Sequence, residues 1–143
     1  MAAGKFKLSE TLKVLTNRFN AITHQEIFLS LEMEERSLKA GQALSARAVV
    51  RSPGEPRTID YLTLNLQGQV QRDGKWRDYT EGAEVAQGVA LEADQELIIP
   101  VVILVPEDAV LSEDGGAWSL TARVVLNGAI DPRDELVFEV IAP

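Results

Sequence analysis

Between Leu62 and Gln71 the side chains change character almost residue by residue. Leu62, Leu64, Leu66 and Val70 are apolar, while Thr63, Asn65, Gln67, Gln69 and Gln71 are polar. A period of two sorts these sets onto opposite faces of an extended chain, whereas a helix would scatter both around its axis. Asp73-Gly74 follows at once, a pair suited to a two-residue hairpin turn because both central positions need positive φ. A strand with one apolar face is not stable alone. It needs paired neighbours and a second layer to cover that face.

The same alternation recurs along the chain. Ile27, Leu29, Leu31 and Met33 alternate with Phe28, Ser30, Glu32 and Glu34; Leu44, Ala46, Ala48 and Val50 make a second set. Trp118, Leu120, Ala122, Val124 and Leu126 alternate with Ser119, Thr121, Arg123 and Asn127, and Leu136, Phe138 and Val140 close the pattern. The strand returning from the hairpin carries Trp76 and Tyr79, and Val85, Val89 and Leu91 predict a short strand broken at Gly82 and Gly88. Leu97–Val105 is apolar on both faces, which predicts a strand at the sandwich centre. Pro100 inside it has no N–H for the ladder and requires an edge position or a bulge. Turns fall at Lys39-Ala40-Gly41, Ser52–Pro56, the acidic stretch Glu107–Gly116 and Asp131-Pro132-Arg133-Asp134. The expected fold is all-β, an immunoglobulin-like antiparallel β-sandwich of about seven or eight strands. At 143 residues a single such core needs no disulfide or metal staple.

The first 25 residues differ. Ser9 is a suitable N-cap, and Leu8, Leu12, Leu15 and Phe19 recur at helical spacing along one stripe. Lys5, Lys7, Lys13 and Arg18 against Glu10 put +3 on residues 1–19 of a chain whose net charge is −8, so the remainder carries −11. The division is a leader helix and linker at 1–25 and a sandwich at 26–143. A helix of about three turns is marginal alone and must pack on something. Its stripe either docks on the chain's own sandwich, over an edge or a gap between sheets, or is offered to a protein partner or a second copy. An anionic membrane fits less well, since the cationic face is thin and no Trp is placed at its border. Residues 1–25 lack the apolar core of a secretory signal, and the expected location is cytoplasmic.

Composition removes most chemistry. There is no Cys and one His, His24, so thiolate nucleophiles, Cys-ligated zinc and His-pair metal sites are excluded. The acidic balance opposes binding to nucleic acid. No G-x-S-x-G or phosphate-cradling glycine motif is present. No enzyme activity, cofactor or resident metal is expected. Two binding readings stay open beside a protein-interaction role. The polar row Tyr61, Thr63, Asn65, Gln67 and Gln69, with Trp76 nearby, suits a sugar-binding sheet face, although any antiparallel sheet presents a solvated face. The acidic groups Glu92/Asp94, Glu107/Asp108 with Glu113/Asp114, and Asp131 with Asp134/Glu135 suit Ca²⁺ if enough oxygens converge.

Several segments in order resemble arrestin-fold domains. Leu38-Lys39-Ala40-Gly41-Gln42 before the alternating Leu44–Val50 is similar to that family's turn-plus-glycine and following strand, and Ile59-Asp60-Tyr61-Leu62-Thr63-Leu64 to its next strand. Leu97–Pro106 resembles its I-P-F-x-x-x-L-P element, with Val101 in place of the Phe, and Trp118–Leu126 its aromatic-led strand. Asp131-Pro132-Arg133-Asp134 looks like the D-P-x-D turn of the bacterial sporulation-control arrestin-like proteins. The resemblance covers roughly 26–143, one lobe of a fold that normally pairs two. It implies an arrestin-like sandwich acting as a non-enzymatic scaffold or regulator that binds proteins, with no catalytic residues to carry over. Exposed strand edges and the leader stripe make a homo-oligomer the expected assembly.

Overall fold

The alternation becomes a partition between core and solvent. A computed structural model of the chain describes residues 27–126 and 131–143; the leader stripe Leu8, Leu12, Leu15 and Phe19, and His24, lie outside them. Eight strands follow in order: β1 (Phe28–Met33), β2 (Ser37–Lys39), β3 (Ala43–Arg51), β4 (Arg57–Arg72), β5 (Lys75–Leu91), β6 (Glu96–Leu104), β7 (Trp118–Val125) and β8 (Arg133–Ile141). They form a three-stranded sheet ordered β1-β3-β6 and a five-stranded sheet ordered β2-β8-β7-β4-β5. Leu29, Leu31, Leu44, Ala48 and Val50 from the small sheet meet Leu62, Leu64, Leu66, Leu120, Val124 and Val140 from the large one in a single buried cluster. Each fully buried Leu or Val stabilises the fold by about 1.5–3 kcal/mol relative to exposure.

The long β4–β5 hairpin is the backbone of the large sheet. β4 pairs along its length with β5 and, through residues 61–67, with β7. The turn is the one the Asp-Gly pair demands, with φ of 53° at Asp73 and 73° at Gly74.

Three expectations change. The segment 81–94 is not a short broken strand: β5 runs unbroken from Lys75 to Leu91. Gly82 is a socket, because a Cβ there would stand 2.5 Å from the side-chain oxygen of Asn65. Gly88, at φ 62°, continues the strand through a local irregularity that Gly tolerates. The Leu97–Val105 segment does not lie at the sandwich centre. β6 is an edge strand, so only Val101 and Ile103 reach full burial, and Pro100 has the edge position its missing N–H requires. The sandwich is also not wholly antiparallel, since β2 pairs parallel to β8.

Trp118 sits where these strands converge. Its indole is 1% exposed and donates from Nε1 to the Val110 carbonyl oxygen at 2.8 Å. The Tyr79 and Phe138 rings lie 6.1 and 6.3 Å away. The indole lies directly on Gly68 of β4, where a Cβ would come within 2.2 Å of ring carbons. Gly68→Ala is therefore an overpacking substitution, expected to cost about 1–3 kcal/mol. Thermal unfolding should show a midpoint lower by several degrees; an unchanged midpoint would mean the indole is free to shift.

Candidate functional site

The polar row predicted on β4 does share one face. Thr63, Asn65 and Gln67 stand beside Arg123, Thr121 and Ser119 of β7, forming the middle of the solvent side of the large sheet. Tyr61, 39% exposed, lies at one end of this row. Trp76 lies at the other end. Its cross-strand partner is Gln71, two residues past Gln69 but ten past Tyr61, so the two aromatics stand roughly 33 Å apart at the rise of a strand. The Trp76 ring leans on Gly115. Gln69 is occupied structurally, its side-chain oxygen accepting the Ala117 N–H at 2.7 Å. The row thus lacks the paired aromatics on which a sugar ring would stack.

The acidic clusters are spoken for locally. Asp94 accepts from Gly54 N–H at 3.1 Å, Asp108 binds Arg72 at 2.6 Å, and Glu113 and Asp114 lie in a short 3₁₀ turn, Ser112–Asp114. Among the described residues no three carboxylate or imidazole groups converge to hold a metal.

The Asp131-Pro132-Arg133-Asp134 turn has a clear task. Asp131 binds the Arg123 guanidinium at 2.6 Å, which, with a hydrogen bond from Leu126 N–H, holds its carboxyl below the ordinary aspartate value. Asp134 reaches across to the other sheet, its Oδ2 accepting the Leu31 N–H at 2.7 Å. That bond ties β8 to β1 and occupies a main-chain donor on the outer edge of the small sheet. Burial raises the Asp134 carboxyl above its ordinary value, against the hydrogen bonds from Leu31 and Glu135.

The residues that sequence reasoning passed over lie on β6. Ile98, Val102 and Leu104 point to solvent, 48%, 69% and 58% exposed, on a strand whose far edge has no partner among the described strands. Beside them is a cavity of about 240 Å³ lined by Glu32, Glu34, Ser45, Arg47, Pro100 and Val102. Glu32 and Arg47 form an ion pair across it. The signal lies in Leu97–Val105, whose apolar residues on both faces predict double burial; on an edge strand the outward set is left in water.

A three-stranded and a five-stranded sheet stacked on one core, with a short parallel strand beside the last one, define an arrestin-like β-sandwich. The SpoOM protein family (Spo0M) matches residues 29–142, and the chain belongs to that family. The crystal structure of Spo0M, sporulation control protein, from Bacillus subtilis superposes with a TM-score of 0.69 at 16% sequence identity, over 82% of this chain and 50% of that one. The chain thus spans about half the length of that protein. A CARDB domain from Pyrococcus furiosus, solved in complex with di-metal ions, aligns at 10% identity and a TM-score of 0.48, over 81% of this chain and 88% of that one. No curated protein matches the chain in sequence.

The Asp134 bond can be tested by substitution. Asp134→Ala leaves the Leu31 N–H without its acceptor and is expected to cost about 1 kcal/mol at neutral pH. Because the folded carboxyl is raised, the native state binds more protons than the unfolded chain between the ordinary aspartate value and the folded one. Stability from this group therefore falls as pH rises through that window. Urea titrations across it should show the advantage of the native protein over Asp134→Ala shrinking with rising pH. A constant or growing difference would contradict the assignment.

Proposed function

We propose that this chain is a cytoplasmic regulatory module that catalyses nothing and works by binding protein. The observation that carries this reading is β6, an edge strand presenting Ile98, Val102 and Leu104 outward beside an open cavity. Clustered apolar residues on an exposed edge favour a partner that buries them, and edge strands accept partners through main-chain hydrogen bonds. Pro100 interrupts that edge, so the Val101–Leu104 half is the part available for pairing. Family membership and the arrestin-like fold support a role in control, as does the composition, which lacks Cys and has one His. Among the described residues no helix is long and apolar enough to cross a membrane. A second copy of the chain is one protein such a surface would accept, giving a homo-oligomer.

Val102→Glu tests the reading. The side chain is 69% exposed, so folding stability should stay within about 0.5 kcal/mol of the native value. Placed centrally in an interface, a buried carboxylate should cut affinity at least tenfold, about 1.4 kcal/mol or more. Affinity capture should recover a partner with the native chain and lose it with Val102→Glu. Light scattering across a concentration series should show whether that partner is a second copy. Equal capture by both forms, or none by either with no self-association, would overturn the proposal.

A further inference from the structure

The hollow on the outer face of the small sheet has two unlike ends. Ser45 of β3 lies beside Val102 of β6, and Glu34 follows Met33, the last residue of β1 paired with β3. Because β3 runs between β1 and β6, Ser45 has a carboxylate on one flank and an isopropyl group on the other. Its own side chain is too short to fill the space between them. The next row, Glu32, Arg47 and Pro100, closes one side with an ion pair in which Glu32 and Arg47 neutralise each other. Glu34 is exposed and takes part in none of the ion pairs among the described residues. The nearby Arg36 is engaged elsewhere, its guanidinium donating to the Val137 carbonyl oxygen on the large sheet. The hollow thus offers an apolar wall, Pro100 and Val102, and one negative charge that no described cation answers.

We propose that this hollow seats one lysine or arginine side chain of the protein segment that docks on β6; the inference rests on the partner-binding reading and names the chemistry of that partner. The volume of about 240 Å³ is below the roughly 300–1,000 Å³ of small-molecule sites and suits a single side chain. Both cationic side chains carry an apolar stem and a charged head, the order met on passing from Val102 to Glu34. Length selects them too. A strand added beside β6 stands about 14 Å from β1, three strand spacings away. Its short side chains stop over Val102, whereas a long one crosses to Ser45, where Glu34 meets its head. An aromatic or aliphatic side chain fills the same space but leaves the carboxylate desolvated and unpaired, which is unfavourable. The net charge of −8 draws basic segments in from a distance and repels acidic ones. The partner is therefore an extended segment with apolar residues for the outward row of β6 and one basic residue that reaches across it.

Selection of a displayed random-peptide library on the full chain supplies the probe. The recovered peptides should share one fixed Lys or Arg flanked by apolar residues. A synthetic peptide from that set should lose about tenfold in affinity when its fixed basic residue is changed to Gln. Glu34→Gln in the protein should cost the unaltered peptide the same. The two losses should not add, so the Gln peptide should bind the native chain and Glu34→Gln alike. Glu34→Lys should reverse the preference and favour a peptide with Glu at the fixed position. Ser45→Phe, at an exposed position, fills the hollow and should weaken the basic peptide without unfolding the chain. Recovery of no peptide, or of peptides without a fixed basic residue, overturns the proposal, as does affinity indifferent to Glu34→Gln. Val102→Glu separates this inference from the reading beneath it. Peptides lost with Val102→Glu but unmoved by Glu34→Gln keep β6 as the docking edge and remove the basic-residue pocket; peptides indifferent to both variants remove both.

Discussion

The sandwich depends on one wedge, the Trp118 indole between the large sheet and its connections. It rests on a bare backbone at Gly68, donates to the Val110 carbonyl oxygen and stands beside Tyr79 and Phe138. A buried indole N–H without an acceptor would cost the desolvation of that group, so the 106–117 connection has to bring Val110 to it. The same connection bridges the end of β4 where β7 no longer runs, through hydrogen bonds from Gln71 N–H to Asp108 O and from Val110 N–H to Gln69 O. Position 116 is also confined, since a Cβ there would meet the Val110 oxygen at 2.2 Å. One aromatic thus fixes two glycines, a loop path and the far end of the longest hairpin.

The two sheets divide the labour. The large sheet is wide, and the middle of its solvent side, on β4 and β7, is made of hydroxyls, amides and charges that suit water, while β8 adds the exposed Val137 and Ile141. The small sheet has only three strands, so every side chain on it lies close to an edge. β1 is tied to the large sheet by the Asp134 carboxylate, and β3 is central. Among the described strands β6 keeps both an unpaired edge and an outward apolar row.

Much of this was legible in the alternation of β4, β3 and β7, whose inward residues are the ones that fill the core. The Asp-Gly hairpin and the edge position of Pro100 followed from backbone rules that operate over two or three residues. What failed was non-local. Gly82 reads as a strand breaker until Asn65 is known to lie against it. Leu97–Val105 reads as doubly buried until the strand order places it at an edge. The parallel seating of β2 on β8 joins residues about a hundred positions apart, and no local pattern encodes it. The polar row shares one face as its alternation predicts, and Trp76, two residues past the Asp-Gly turn, falls opposite Gln71 at the far end from Tyr61.

The place of β8 between β2 and β7 has a consequence for how the molecule is made. A ribosome delivers β1 to β7 before Arg133–Ile141 exists, and until then β7 and β2 lack the strand that joins them. Leu38, buried in the finished fold, has no sheet to enter, and the Leu31 N–H has no carboxylate. Local hairpins such as β4–β5 form early because their loops are short, whereas closure of the large sheet waits on contacts of very long sequence separation. The nascent chain therefore passes through a stage with an unpaired strand flank and an open core, the kind of species that aggregates unless synthesis finishes promptly or a chaperone holds it.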